Sequence, residues 1–259
     1  MIEIIDWIII AAYVAVIVGI SIFISKKQSK EGFLIANRAV GLWDSICTIN
    51  ATKTGAILVI YVALLYQYGI SSILYFIGIA AGYLLFIPFA KKLFSVSKDK
   101  YTLAQYFKHH VSTTAGYVAA TITLVVMIGF LIINLIAAAK TTEYMLSVPF
   151  ELAVIAISLI ICLYLFFAGF NAVVKTDVIQ YVAIMIVIVL LAIFMAPSID
   201  ITAFQTETSL PFSQIIGFFI LGIFFPFASP DLWQRTYAVK SQKILTKSLL
   251  ISTGIYIVV

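Results

Sequence analysis

Long apolar stretches, separated by short polar ones, organise this chain from end to end. They occupy residues 7–25, 43–66, 71–94, 115–145, 150–168, 174–196 and 212–229, and a last one runs over 245–259. A helix needs about 20 apolar residues to cross the hydrocarbon core of a bilayer. The first seven stretches therefore predict complete transmembrane helices, whereas the eighth, at about 15 residues, is too short to cross. The stretch 115–145 is longer than a crossing requires and predicts a helix that tilts or extends past the membrane. Between the third and fourth stretches, "KDKYTLAQYFKHHVS" is polar and too short to span. Its Tyr101, Leu103, Tyr106 and Phe107 predict an amphipathic face lying on the membrane surface.

Composition agrees with this pattern. Of 259 residues, 63% are hydrophobic and 10% charged, and the mean hydropathy is +1.15; a soluble domain carries about 25% charged residues. The chain reads as an all-α polytopic membrane protein. Its first apolar stretch is not a cleavable signal, because Glu3 and Asp6 precede it and no small-residue cleavage site follows. Cys47 and Cys162 both lie in apolar stretches and read as small buried hydrophobes rather than a disulfide or metal pair. His109 and His110 are adjacent, about 100° apart on a helix, which is poor metal geometry and suits surface histidines.

The net charge of +5 has meaning only through its distribution. Lys26, Lys27, Lys30, Arg38, Lys91, Lys92, Lys98, Lys100, Lys108, Lys175, Arg235, Lys240, Lys243 and Lys247 all fall on one side if every stretch crosses. The other side holds Lys140 with Glu3, Asp6, Glu143, Glu151, Asp200 and Glu207. The positive-inside rule then places the N-terminus outside the plasma membrane. The basic excess is a topology signal and implies no nucleic-acid partner; the partners expected are the lipid bilayer and a small solute.

No Walker loop, HExxH, nucleophile elbow or zinc spacing is present, so an enzyme is the least supported class. Polar residues inside the apolar stretches carry the functional information, because they are expensive there. The densest group is Asn50-Ala51-Thr52-Lys53-Thr54-Gly55. Asn, Thr and Gly compete for or loosen helical hydrogen bonds, and an interrupted helix would free carbonyls for a cation and aim its half-helix dipoles at a substrate. The plainer reading has the threonines bonding back along the helix while Lys53 snorkels to the interface. Lys53 stands about ten residues, roughly 15 Å, from Trp43, where snorkelling is difficult.

In "FFPFASPDLWQR", Pro226 and Pro230 each lack an amide donor, which fits a broken helix lining a cavity or a kinked exit from the membrane. Asn134 reads as an amide joining helix to helix. In "GFNAVVKTDVIQYV", Gly169 and Asn171 favour a turn, and Thr176 with Asp177 is suited to capping the following helix. Asp177 is also placed to attract cations leaving an inward-facing cavity.

Four stretches carry a family resemblance. "AGFNAVVKTDVIQ" resembles the GG-x-x-A-x-x-x-TD-x-x-Q signature of the sodium:solute symporter family, and "WQRTYAVKS" its QR-x-x-A-x-K-S. "GFLIANRAVGLW" and "YTLAQYFKHHV" are similar to its first cytoplasmic loop and its TL-x-x-F loop. The resemblance implies a LeuT-like fold: an extra first helix and loop (residues 1–40), a first five-helix inverted repeat (41–196) and an incomplete second repeat (211–259). It implies a secondary transporter for a small organic solute, working by alternating access with a coupling cation and no other cofactor. It further implies a missing C-terminal half or self-association.

On this resemblance a sodium site would use backbone carbonyls of Ala51 and Thr54, and Asp177 would serve the ion's cytoplasmic route. A substrate cavity would draw on Asn50, Thr52, Lys53, Gly55, Gly222, Phe225, Pro226 and Ser229. Lys53 departs from the pattern, since some members carry an acid there. Two unit positive charges about 5 Å apart repel by a few kcal/mol even at an effective dielectric near 20. Lys53 would then replace sodium, with protons driving transport if it titrates, or bind an anionic substrate. The competing classes are a transporter-like sensory input of a signalling protein and a non-transporting remnant.

Overall fold

The computed structural model describes residues 4–25, 29–96, 102–195, 197 and 210–258. Of the charges used for orientation, Glu3, Lys26, Lys27, Lys98, Lys100, Asp200 and Glu207 lie outside these residues, as does Tyr101 of the amphipathic segment. Among the described residues, ten α-helices follow in order: α1 (Ile4–Ser25), α2 (Lys30–Ile35), α3 (Leu42–Tyr68), α4 (Ile73–Ser95), α5 (Leu103–His110), α6 (Thr113–Leu146), α7 (Phe150–Met195), α8 (Phe212–Ala228), α9 (Pro230–Ala238) and α10 (Gln242–Val258). They fall into two compact units. One is drawn from Met1–Arg38 and Tyr101–Thr176, the other from Ala39–Lys100 and Asp177–Val259.

In the first unit, α2 is capped by Ser29, whose side chain accepts from the Gly32 amide at 3.0 Å. The α7 helix changes direction at Gly169, with φ of 52°. A side chain there would collide with Phe33, so both the left-handed backbone and the close approach require glycine. The expected turn is thus a single residue, and the helix resumes at once. Thr176 does not cap it: its hydroxyl donates back to the Ala172 carbonyl at 3.0 Å, in mid-helix. The short α5 is capped by Thr102, which accepts from the Gln105 amide at 3.2 Å, and His109 and His110 at its end are exposed.

Two expectations about this unit need correction. Asn134 is exposed and donates to Phe130 of its own helix at 2.7 Å, rather than joining two helices. Cys162 is exposed, not buried. In a membrane protein the outer surface is as apolar as the interior, so apolar neighbours in sequence do not separate the two.

The second unit is built on α4, which packs against α8 with almost no space between backbones. A Cβ on Gly78 would strike the Phe219 carbonyl, and one on Gly82 the Ile223 carbonyl. From the other side, a Cβ on Gly222 would strike the Tyr75 carbonyl and come within 2.8 Å of the Ile79 nitrogen. This is the small-residue packing by which membrane helices gain van der Waals contact. The α10 helix packs on both α3 and α4. Beside them, Val40 pairs with the chain leaving α9: its amide donates to Ala238 and its carbonyl accepts from Lys240, each at 3.1 Å.

Four described stretches are long and apolar enough to cross a membrane: Ile4–Ile24, Tyr61–Ser95, Thr113–Leu146 and Gly169–Met195. The pair α8 and α9, bent by 43°, makes a fifth. This is fewer than the seven complete crossings read from hydropathy. The first part of α7 contributes only the shorter apolar stretch Phe150–Leu163.

The glycine contact yields a direct test. Gly82→Leu should lower stability by at least about 1–3 kcal/mol through overpacking, whereas Gly19→Leu, with nothing within 4 Å of its added Cβ, should be neutral. Thermal unfolding in detergent checks this, and equal effects at the two positions would contradict the packing argument.

Candidate functional site

The α3 helix runs unbroken from Leu42 to Tyr68, so the expected interruption at Asn50–Gly55 is absent. The reason is local. Thr52 donates to the Thr48 carbonyl at 2.9 Å, Thr54 to the Asn50 carbonyl at 2.6 Å, and Asn50 to the Ile46 carbonyl at 2.9 Å. Each polar side chain bonds back one turn and adds to the helix instead of competing with it. The carbonyls of Ala51 and Thr54 thus belong to continuous helix and form no cage for a cation. In this conformation the residues present do not fit a sodium ion at that place.

What α3 presents instead is a set of polar contacts with three neighbours. Toward α10, Ser45 donates to Ser248 and Asn50 to Ser252, each at 3.0 Å. Toward α9 and the latter part of α7, Thr48 and Thr52 stand one turn apart and meet a buried ion pair. Arg235 and Asp177 are 7% and 8% exposed, with Nη2 at 3.5 Å from the carboxylate. The Arg235 Nε donates to the Thr48 hydroxyl at 3.1 Å, and its Nη2 donates to the Thr52 hydroxyl. Thr48 in turn donates to Asp177. Asp231, one turn before Arg235, accepts from Nη1 through its backbone at 3.2 Å and lies 3.5 Å away through its carboxylate. Asp177 is therefore an ion-pair partner inside α7 rather than a helix cap or a free acid.

The third contact belongs to Lys53. It is 3% exposed, so it does not snorkel. Its Nζ lies 3.2 Å from the centroid of the Tyr83 ring on α4 and 5.3 Å from that of Tyr256 on α10. Among the described residues that nitrogen has no hydrogen-bond partner. A desolvated cation–π contact returns about 2 kcal/mol, while burying an unpaired ammonium costs several kcal/mol.

The remaining expected site residues divide. Ala51 packs with Cys47 and Tyr181 in a small apolar cluster. Gly55 lies within helical α3. Gly222 is used for the close approach to α4. Phe225 is half-buried on α8, Pro226 is buried, and Ser229 donates to the Phe225 carbonyl at 2.8 Å. At Ser229 the span breaks, with φ of −84° and ψ of 102°, and Pro230 opens α9. The Trp233 ring nitrogen reaches back 2.9 Å to the Phe227 carbonyl beside the break.

Sequence reasoning missed Arg235, Asp231, Thr48, Tyr83 and Tyr256. Arg235 was counted with the cytoplasmic positive charges, yet it is buried. The available signal was its place five residues after Pro230, in a segment still preceded by a long apolar run.

Breaking the ion pair from either side should leave an uncompensated charge. Asp177→Asn and Arg235→Met are each expected to cost about 3–5 kcal/mol, and the double variant clearly less than their sum. Equilibrium unfolding in mixed detergent provides the values; additivity would contradict a coupled pair.

Comparison with known proteins follows this geometry. The model of the sodium:solute symporter family matches residues 33–206. The sodium/proline symporters of Staphylococcus aureus strains Newman and JH9 are each similar at 23% identity over 265 residues, covering 93% of this chain and 51% of the relative. The chain thus spans about half the length of the curated relatives it matches. A solved structure of a Na+-coupled sialic acid symporter in a substrate-bound outward-open state covers 99% of this chain and 58% of that one, with a TM-score of 0.76 and 18% identity. That likeness shows the fold, which is LeuT-like. With two thirds of its residues matched by the family model, this multi-pass membrane chain belongs to the sodium:solute symporter family.

Proposed function

We propose that the chain forms part of a secondary transporter that moves a small organic solute across the plasma membrane by alternating access, coupled to a cation. The observation that carries this reading is the buried Arg235–Asp177 pair joined to Thr48 and Thr52. Charges this deep in apolar surroundings are costly, and here they tie three elements, α3, α7 and α9, through one guanidinium. The tie holds the three helices together, and its opening would free α3 to move relative to α9, a rearrangement of the kind that alternating access requires.

Sodium is the coupling ion suggested by the family and by the names of the relatives. At Ala51 and Thr54 it would need α3 to open, and it would meet the ammonium of Lys53. Asp177 becomes available to a cation only when Arg235 releases it. The solutes named for the relatives, proline and sialic acid, are small and polar, and this supports a solute of that size.

Reconstituted in liposomes, the protein should take up at least one of a panel of radiolabelled amino acids and sugar acids about 5-fold faster under an inward sodium gradient than under choline. Uptake indifferent to both sodium and proton gradients would count against coupled transport. The charge distribution further predicts that an epitope at the N-terminus is reached by antibody on intact cells; staining only after permeabilisation would reverse the orientation.

A further inference from the structure

One exposed face of α10 is divided by chemistry along its length. At a helical repeat of about 100° per residue, Lys243, Lys247, Leu250, Gly254 and Ile257 fall within an arc of about 80°, and all five are exposed. The opposite arc, with Leu245, Ser248, Leu249 and Ser252, is buried where α10 packs on α3 and α4. Lys240 stands exposed just before the helix, its amide fixed 3.1 Å from the Val40 carbonyl. The face is therefore basic at its start and apolar beyond Lys247.

Two features of this face are costly as they stand. Lys243 and Lys247 are one turn apart, where like charges repel, and none of the three lysines makes an ion pair among the described residues. Of the helices packed on α10, α4 carries no acid and has Lys91 and Lys92 near its end, while α3 carries only Asp44. Gly254 is a poor helix former. Unlike Gly78, Gly82 and Gly222, it is not explained by a close approach, since an added Cβ would meet nothing within 4 Å. It leaves a notch between Leu250 and Ile257, which are 48% and 67% exposed.

An anion with an apolar tail answers both features. From Lys247 to Ile257 the helix rises about 15 Å, which is the depth of one leaflet in a hydrocarbon core of about 30 Å. A covering protein helix would have to bury three ammonium groups, and a small free anion would leave the notch unfilled. We propose that this face of α10 binds an anionic phospholipid. Lys240, Lys243 and Lys247 hold the headgroup phosphate, and an acyl chain descends along Leu250, through the notch at Gly254, to Ile257. The lipid lies on the side of α10 away from Tyr256 and Lys53, so its binding is independent of the transporter reading.

The test measures binding of fluorescent dioleoyl-phosphatidylglycerol and dioleoyl-phosphatidylcholine to the full chain in neutral detergent. A lysine beside an anionic lipid surface contributes about fivefold. The phosphatidylglycerol should therefore bind at least about 20-fold more tightly than the phosphatidylcholine. Lys243→Gln with Lys247→Gln should remove most of that preference and leave the melting temperature of the lipid-free protein unchanged, because both side chains are exposed. Lys108→Gln, an exposed lysine of the other unit, should leave the preference intact. Gly254→Phe should weaken both lipids while keeping the preference between them. Equal binding of the two lipids, an equal loss on Lys108→Gln, or unchanged binding in Gly254→Phe overturns the site. Displacement of phosphatidylglycerol by inorganic phosphate makes it a site for a free anion and overturns the lipid assignment.

Discussion

A charge in an apolar interior has to be answered by another charge or by hydrogen bonds, and the second unit is arranged around that requirement. Arg235 is the centre. It lies nine-tenths buried, and every element that brings it an acceptor is constrained in position: α3 through Thr48 and Thr52, α7 through Asp177, and its own helix through Asp231. Removing any one acceptor leaves a donor unmet in a place where water is scarce. The polar face of α3 therefore turns inward, which also carries Ser45 and Asn50 to the serines of α10.

Beside this satisfied network stands an unsatisfied one. Lys53 is on the same helix, one residue from Thr52, yet it projects to Tyr83 and Tyr256 instead of to an acid. The contrast between the two cations is informative. Arg235 has a planar fork and finds carboxylates and hydroxyls along several directions; Lys53 is a compact ammonium that aromatic faces hold without satisfying.

Helix continuity in this chain follows hydrogen-bond supply more than residue propensity. Thr52, Thr54 and Asn50 suggested unwinding, but each donates to a carbonyl four residues back and α3 persists. Two prolines in the α8 to α9 segment act differently. Pro226 is accommodated inside α8, while the break falls at Ser229, before Pro230, and the Trp233 ring nitrogen serves the Phe227 carbonyl there. At Gly169 a left-handed residue under the Phe33 ring bends α7 without any loop. In all three places the local sequence announces a possible break, and a donor or a neighbour decides whether it occurs.

Hydropathy, charge bias and four short motifs were enough to read the membrane class, the helical architecture and the family, because these depend on transfer from water to lipid and on local composition. Asp177 and the Asn50–Thr54 run were legible as places of interest for the same reason: polar groups are rare and expensive in such stretches. Their partners were not legible. Arg235 read only as a topology charge and not as a buried partner, and Cys162 read as a buried residue; each assignment depends on which surface of a helix meets another. Inside a membrane the lipid-facing and protein-facing surfaces are equally apolar, so sequence determines that a segment is a helix, and only tertiary packing decides which of its faces is interior and which acid answers which cation.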